Sequence, residues 1–189
     1  MSPIEITGNL LDYCSDKKNV IVQELDSVSL RPFNLSEEIE WKWTGASYGK
    51  RKKINTTTNT NCSDSPSEIG KIETFDTGNG LVCNFISKVY PGRPNQFRDH
   101  YSRLYKVYSC IDYDKDDSKE TREILFKICL EELKTKLEEE KDGYTKDMKI
   151  YFPKWIGCGF SKGNWSNYYG YIKDFASSVR NDVNIVEKN

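Results

Sequence analysis

Apolar residues along the chain follow two spacings, one typical of strands and one typical of helices. Short apolar or alternating runs, often closed by glycine, asparagine or proline, predict strands. Apolar residues three and four positions apart predict amphipathic helices. Because strands and helices alternate, we expect a three-layer α/β fold with a mixed sheet. The predicted strands are Ile4–Asn9, Asn19–Glu24, Gly70–Phe75, Gly80–Val89, Met148–Phe152 and Asp182–Val186, and the predicted helices are Leu35–Trp43, Ser118–Glu140 and Ser166–Val179.

The stretch from Thr44 to Pro66 has neither spacing. It is rich in Gly, Lys, Asn, Thr and Ser, and Asn55–Asn61 has almost no apolar side chain. We therefore expect a long mobile loop over residues 44–66. The length of 189 residues suits one core, so residues 1–189 are predicted to form a single domain.

Charge argues against large polyanionic partners. The 28 basic and 29 acidic residues give a net charge of -1, so no overall field attracts DNA, RNA or an anionic membrane surface. No apolar stretch approaches the roughly 20 residues of a membrane span, and Met1–Asn9 does not resemble a signal peptide. We expect a cytoplasmic protein with no membrane partner.

The cysteines do not form a metal-binding pattern. All six are scattered, no C-x-x-C pair occurs, and His100 is the only histidine. Zinc sites need clustered cysteine and histidine ligands. We interpret the cysteines as reduced thiols and expect no metal and no cofactor.

A glycine-rich loop follows the strand Met148–Phe152 and leads into a helix. Its residues Gly157, Gly159 and Gly163 permit positive φ angles and close backbone approach. The N–H groups at a helix start attract phosphate oxygens. Such a loop can hold a diphosphate, but a glycine-rich turn without a ligand fits the same pattern.

Several motifs in order along the chain resemble the macrodomains, in particular a microbial and viral branch of that family. The resemblance covers nearly the whole chain, and its most specific part is similar to the second ligand loop of the family. The matching segments are Ile6–Asp12, Val20–Gln23, Ser29–Pro32, Leu35–Ile39, Tyr90–Gly92, Asp117–Arg122, Gly157–Gly159 and Gly163–Trp165.

This resemblance implies a three-layer α/β/α domain that binds ADP-ribose or an ADP-ribosylated protein. Many such domains remove ADP-ribose from proteins, or phosphate from ADP-ribose 1″-phosphate. In matching positions, Asn9 would read the adenine amino group, and Gln23 and Asp26 would meet the distal ribose. The loop residues that would wrap the diphosphate include Gly157, Cys158, Gly159, Phe160, Gly163 and Asn164.

The first ligand loop departs from the family pattern. Active members often have glycines there and an asparagine that orients the attacking water, whereas this chain has Asp26-Ser27 and no glycine in Arg31–Ser36. Asp26 can instead act as a general base, with Asn164 bonding the ribose or diphosphate. An Asx turn is the alternative role for Asp26.

Other residues have two interpretations each. Arg31 can bind a phosphate or form a surface ion pair, and Trp155 and Trp165 can stack on adenine or belong to the core. In Asn95–Tyr105, arginines alternate with aromatic residues, a pattern that can bind single-stranded nucleic acid. The alternatives to an ADP-ribose-binding enzyme are thus an inactive interaction module with the same fold and a nucleic-acid-binding protein.

Overall fold

The fold comes from a computed structural model, which describes residues 2–49, 51–55, 61–109 and 113–189. Six strands form one sheet in the order β1-β6-β5-β2-β4-β3. The five strands β1, β6, β5, β2 and β4 run parallel to one another. Strand β3 lies at the edge and is antiparallel to β4. The sheet is therefore mixed, as predicted. The strands are β1 Ile4–Thr7, β2 Asn19–Asp26, β3 Ile72–Asp76, β4 Leu81–Lys88, β5 Lys149–Pro153 and β6 Val183–Glu187.

Helices cover both faces of this sheet. Helices α3 and α4 pack on one face, while the 3₁₀ helix and α1 pack on the other. The predicted three-layer architecture is confirmed. The helices are a 3₁₀ helix Leu10–Ser15, α1 Leu35–Lys42, α2 Arg98–Leu104, α3 Lys119–Glu139 and α4 Trp165–Ser178, and α2 continues into a π-helical segment, Tyr105–Ser109.

Strand β2 lies in the middle of the sheet and is apolar on both faces. Val20, Ile21 and Val22 are fully buried. Successive side chains of a strand point to opposite faces, so Val22 packs toward α3 and α4 while Ile21 packs toward α1. This explains the uninterrupted apolar run in the sequence.

Helix α3 begins and ends close to its predicted limits. The Ser118 hydroxyl accepts a hydrogen bond from the Thr121 N–H, which caps the first turn. Glu140 ends the helix in a left-handed conformation with φ 52°. Between these ends, a row of apolar side chains that includes Phe126 and Leu133 is buried against the sheet, as the spacing predicts.

The described parts of residues 44–66 differ from the predicted mobile loop. Ala46, Ile54 and Cys62 are buried, and the Ile54 N–H donates to the Cys62 carbonyl at 2.9 Å. The Ser63 N–H donates to the Val28 carbonyl at 2.7 Å, which ties the segment to the turn after β2. Residues 50 and 56–60, which also belong to the predicted loop, lie outside the described residues.

Candidate functional site

A cleft of about 990 Å³ lies where the carboxyl ends of the five parallel strands meet. Ligands of α/β sheets bind at this edge, and the volume is at the upper end of the usual range for small-molecule sites. The strand order divides the cleft into two ends. We call the side near β1, β6 and β5 the β1 end, and the side near β2 and β4 the β4 end.

Asp26 lies at the β4 end, in the turn that follows β2, and is buried. Its Oδ1 accepts hydrogen bonds from the N–H groups of Val28 and Ser29 at 3.1 and 2.7 Å. Its Oδ2 accepts from the Tyr48 hydroxyl at 3.2 Å. Asp26 therefore forms the Asx-type turn and also lines the cleft, so the two sequence interpretations are compatible.

Gln23 lies beside Asp26 and has only 1% of its surface exposed. Its amide nitrogen donates to the Asn84 side-chain oxygen at 2.7 Å and to the Ser47 hydroxyl at 3.1 Å. Its carbonyl oxygen Oε1 is buried and has no hydrogen-bond partner among the described residues. A buried acceptor without a partner costs about 1–3 kcal/mol, and Gln23 lines the cleft, so a ligand hydroxyl can supply the missing donor.

A buried ion pair also lines the β4 end. The Lys88 ammonium lies 3.3 Å from Glu24 Oε2, and their side chains are 15% and 5% exposed. The Ser87 and Ser161 hydroxyls donate to the same carboxylate at 2.8 and 3.3 Å. This cluster joins the ends of β2 and β4 to the loop after β5. It places one fixed positive charge in the cleft, balanced by Glu24.

The loop after β5 crosses the cleft from one end to the other. It starts with Trp155 in a left-handed conformation, φ 66°, and folds back through a hydrogen bond from the Cys158 N–H to the Trp155 carbonyl at 2.9 Å. Further along, the N–H groups of Phe160 and Ser161 make no hydrogen bond to another described backbone or side chain. Both residues line the cleft, so these two N–H groups are available to an anionic ligand.

The glycines of this loop do not share one role. Gly157 lines the cleft, but its φ is +72° and an added Cβ would lie 2.3 Å from the Tyr168 ring. A Cβ on Gly163 would lie 2.5 Å from the Gly157 carbonyl oxygen. Around Gly159 no atom lies within 4 Å of such a Cβ. Close packing therefore explains why glycine stands at positions 157 and 163. Of the three glycines, Gly157 lines the cleft, and Gly159 and Gly163 do not.

Three further predicted residues lie away from the cleft. Asn164 caps α4 by accepting a hydrogen bond from the Ser166 N–H at 3.0 Å, and it is not among the residues that line the cleft. Cys158 is half-buried, and burial raises the pKa of its thiol to about 12, so it is not a reactive thiolate. Trp165 packs against the core cluster of α3 and α4.

Arg31 and Asn9 line the two ends of the cleft and are both exposed. The Arg31 N–H donates to the Asn61 side-chain oxygen at 2.6 Å, and none of the ion pairs among the described residues includes its guanidinium. The Asn9 side-chain oxygen accepts from the Leu11 N–H at 3.1 Å and so caps the 3₁₀ helix. Each residue can still offer its side-chain nitrogens to a ligand.

A buried arginine fixes the cleft wall that follows β4. Arg122 pairs with Asp117, and its guanidinium donates to the carbonyls of Tyr90 and Gly92 at 3.1 and 2.8 Å. Gly92 and its neighbour Pro91 line the cleft. The planar guanidinium thus holds an irregular segment that no strand or helix supports.

The segment Asn95–Tyr105 does not present the surface that its sequence suggests. Tyr101 and Tyr105 are buried, and Arg98 pairs with Asp114 at 2.6 Å. The Tyr101 ring packs on Tyr90 and the Tyr105 ring packs on Tyr113, in a cluster beside α2. Two of its three aromatic rings are therefore unavailable for stacking on bases.

Other chemistry is sparse in the part of the chain that the structure describes. No group of His, Cys, Asp or Glu side chains there is arranged to hold a metal ion, and the five described cysteines are free thiols. Cys110 lies outside the described residues. None of the described helices combines the length and the apolar character that a membrane span needs.

Sequence reasoning missed several residues that line the cleft. Glu24 is the last residue of the predicted strand Asn19–Glu24, and Lys88 is the last but one of Gly80–Val89. Their position at a carboxyl edge was therefore a usable signal. Tyr48 and Asn61 also line the cleft. They come from the segment predicted to be a mobile loop, and no pattern in the sequence indicates that it folds back over β2.

Comparison with known proteins supports the fold through structure rather than sequence. No protein-family model matches the chain, and a search of curated proteins finds no match. Among solved structures, a Bacteroides thetaiotaomicron protein of unknown function is similar with a TM-score of 0.63 and 14% identity, covering 99% of this chain and 98% of that one.

Two macrodomains are similar over nearly their whole length. The macrodomain of Thermus aquaticus DarG has a TM-score of 0.56 and 13% identity, and that of Mycobacterium tuberculosis DarG has 0.57 and 14%. Each comparison covers 98% of this chain and 97% of the other. At such low identity the likeness concerns the course of the chain and not particular residues. The chain has the macrodomain fold.

Proposed function

We propose that the protein binds ADP-ribose in the cleft at the carboxyl edge of its sheet. ADP-ribose consists of a base and a ribose, a diphosphate, and a second, distal ribose. The cleft has three corresponding parts. The β1 end would hold the base with its ribose, the loop after β5 would hold the diphosphate, and the polar β4 end would hold the distal ribose. Its volume of about 990 Å³ suits an elongated ligand of this kind.

The observation that carries this proposal is the unpaired Oε1 of Gln23. This acceptor is buried in the cleft beside Asp26, where the family resemblance expects the distal ribose. A ribose hydroxyl can donate to Oε1 and remove the cost of leaving it unpaired.

The diphosphate would lie over the loop after β5. The N–H groups of Phe160 and Ser161 are unpaired within the described residues, and backbone N–H groups of this kind bind phosphate oxygens. Arg31 and Lys88 line the same cleft and add positive charge. A diphosphate therefore finds both donors and countercharge there.

Calorimetric titration tests the binding proposal. We expect ADP-ribose to bind with a measurable heat and ADP to bind more weakly, because ADP lacks the distal ribose that reaches Gln23. Equal affinity for the two ligands would show that the β4 end is not used. Absence of binding by folded protein at high micromolar ADP-ribose would overturn the proposal.

We further propose hydrolysis at the anomeric carbon of the distal ribose. Asp26 would accept a proton from the attacking water, while the bond to the modified side chain or to the 1″-phosphate breaks. A carboxylate has about four lone-pair directions, and Asp26 uses three for the hydrogen bonds described above. Release of ADP-ribose from a mono-ADP-ribosylated protein, or of phosphate from ADP-ribose 1″-phosphate, is the test. A protein that binds ADP-ribose but releases neither product is a reader and not an enzyme.

Two observations disfavour the alternatives. In an inactive interaction module, Phe33 would fill the cleft, yet its ring is exposed and meets Phe160 edge to face at 5.1 Å beside an open cleft. Nucleic-acid binding loses support because Tyr101 and Tyr105 are buried. Binding to single strands through phosphates would weaken steeply between 50 and 200 mM salt, so a salt series distinguishes it from ADP-ribose binding.

A further inference from the structure

The turn after β2 is bonded along its length to a distant segment of the chain. We call residues 26–31 the β2 turn. The carbonyl groups of residues 26 to 29 and the N–H groups of residues 30 and 31 all pair with residues between 51 and 67. Arg51 donates to Asp26 and Ser29, Ser67 to Ser27, and Ser63 to Val28, while Asn61 accepts from Leu30 and Arg31. The β2 turn contains no glycine, and these contacts fix its course.

Arg51 supports Asp26 by two routes. Its Nη1 donates to the carbonyls of Asp26 and Ser29 at 2.8 and 2.9 Å. Its guanidinium carbon also lies 4.6 Å from the centre of the Tyr48 ring, and the Tyr48 hydroxyl donates to Asp26 Oδ2 at 3.2 Å. Arg51 therefore contacts both the backbone that carries the Asp26 carboxylate and the ring that this carboxylate meets.

Stability alone does not explain this arginine. Its Nε and Nη2 atoms are buried, and neither has a hydrogen-bond partner among the described residues. None of the ion pairs in the described part of the chain includes its guanidinium. Buried donors without acceptors, and a buried cation without a carboxylate, lower the stability of a folded protein. Such local conflicts are expected mainly at functional sites.

Arg51 can affect a ligand only through the β2 turn, because it does not line the cleft. Asp26 does line the cleft, and a reacting group that moves by about 1 Å can lose much of its effect. Gln23 is held separately, through Asn84 and Ser47. A change at Arg51 should therefore move the carboxylate and leave the rest of the β4 end in place.

We propose that Arg51 is a positioning residue, which fixes the β2 turn so that the Asp26 carboxylate faces the distal ribose. This inference rests on the proposed hydrolysis and adds to it a residue that touches neither the substrate nor the water. It also gives the segment that folds over β2 a role in the reaction.

The first measurement separates turnover from binding. Wild type, Arg51→Met and Arg51→Lys are compared by initial rates on a mono-ADP-ribosylated protein and by calorimetric titration with ADP-ribose. We expect Arg51→Met to lower turnover by about 10–100-fold, as a displaced reacting group does, and to keep an affinity close to that of wild type. Arg51→Lys keeps a cation that can donate to the same carbonyls, so it should lose less turnover. Equal losses for the two variants, or an affinity that falls as far as turnover, would overturn the proposal.

The second measurement asks whether Arg51 acts through Asp26. The general base is absent from Asp26→Asn, so adding Arg51→Met should lower the residual turnover no further. A role in packing alone would give the same loss with and without the base, and that result would overturn the proposal. Arg103→Met is the control, because Arg103 is exposed on α2 and does not line the cleft. It should turn over as wild type does.

The third measurement does not depend on turnover. The amides of Val28 and Ser29 donate to Asp26 Oδ1, and the β2 turn should open more often without Arg51. We expect these two amides to exchange with deuterium at least about tenfold faster in Arg51→Met, while the buried amides of α3 exchange as in wild type. Unchanged exchange in the turn, or an equal increase in α3, would overturn the proposal.

Failure of the proposed hydrolysis is distinguishable from failure of this inference. A wild-type protein that releases neither product contradicts the hydrolysis. Amide exchange at Val28 and Ser29 then decides whether Arg51 holds the turn that carries Asp26.

Discussion

Asp26 holds the turn after β2, and the same carboxylate is the base in the proposed hydrolysis. One oxygen holds the turn after β2, and the other faces the Tyr48 hydroxyl at 3.2 Å. Asparagine keeps the side-chain oxygen that accepts the two backbone N–H groups, so Asp26→Asn preserves the turn. It removes the negative charge and the ability to take up a proton, and the new amide nitrogen donates to the Tyr48 hydroxyl oxygen where the carboxylate had accepted from that hydroxyl.

We expect Asp26→Asn to lower turnover by about 10²–10⁴-fold, the usual contribution of a general base. ADP-ribose affinity should stay close to that of wild type. Initial rates on a mono-ADP-ribosylated protein, together with calorimetry, measure the two effects. Asp147→Asn is the matched control, because Asp147 pairs with Lys18 near the amino ends of β5 and β2. Full turnover by Asp26→Asn would show that Asp26 is not the base.

The Glu24–Lys88 ion pair should contribute both to stability and to ligand binding. Lys88→Met leaves Glu24 buried without its cation, which should lower the free energy of unfolding by about 1–3 kcal/mol. It should also weaken ADP-ribose binding about tenfold, because one cation near the diphosphate is lost. Urea unfolding and calorimetry measure these effects.

The double variant Lys88→Met, Glu24→Gln separates the two effects. Neutral glutamine needs no cation, so most of the stability should return, while the affinity should stay low. If the affinity also returns, Lys88 acts by neutralising Glu24 and not by contacting the ligand.

At the scale of elements, the loop after β5 depends on packing more than on glycine content. Gly157 has φ +72° and would press a Cβ against Tyr168, whereas Gly159 has open space around it. We expect Gly157→Ala to lower the free energy of unfolding by about 2–4 kcal/mol, through backbone strain and overpacking. Gly159→Ala should change it by less than about 1 kcal/mol. Urea denaturation compares them, and equal losses would contradict this account of the loop.

Elements with strong patterns were predictable, and those fixed by tertiary contacts were not. Helix α3 follows from its apolar spacing, and strands β3 and β4 follow from the predicted strands Gly70–Phe75 and Gly80–Val89. The 3₁₀ helix and α2 are short, with six and seven residues, and no apolar repeat extends over several turns. Tyr101 and Tyr105 are buried there through contacts with distant residues, which local sequence does not encode.

At the scale of the whole molecule, the topology assembles the site. The carboxyl ends of β1, β2 and β5 bring Asn9, Gln23, Asp26 and Gly157 into one cleft, and the sequence allowed that expectation because parallel strands share one edge. Tyr48 and Asn61 complete the cleft from a segment without periodicity. Their contribution depends on how residues 46–63 pack over β2, which requires the folded structure.

Buried tyrosines and thiols predict how stability depends on pH. Burial raises the pKa of Tyr113 and of Cys83 to about 12 and that of Tyr48 well above its usual value. In the unfolded chain these groups lose protons near pH 8.5 for thiols and near pH 10 for tyrosines. Above those values the folded state binds more protons than the unfolded state, so stability falls as pH rises.

We therefore expect the free energy of unfolding to be insensitive to these groups between pH 7 and about pH 8. It should decline above about pH 9, with each buried tyrosine adding up to about 1.4 kcal/mol per pH unit above pH 10. Urea unfolding at a series of pH values measures the decline, and tyrosinate absorbance counts ionised rings. If all 12 tyrosines of the sequence ionise near pH 10 in folded protein, this prediction is wrong.

The central claim is that the cleft at the carboxyl edge of the sheet holds ADP-ribose with its distal ribose at the β4 end. A crystal structure of the protein with ADP-ribose at saturating concentration tests it most directly. We expect the diphosphate to lie against the N–H groups of Phe160 and Ser161, and a distal ribose hydroxyl to lie within hydrogen-bond distance of Gln23 Oε1. A ligand bound outside this cleft, or a cleft that stays empty at saturating ADP-ribose, would contradict it.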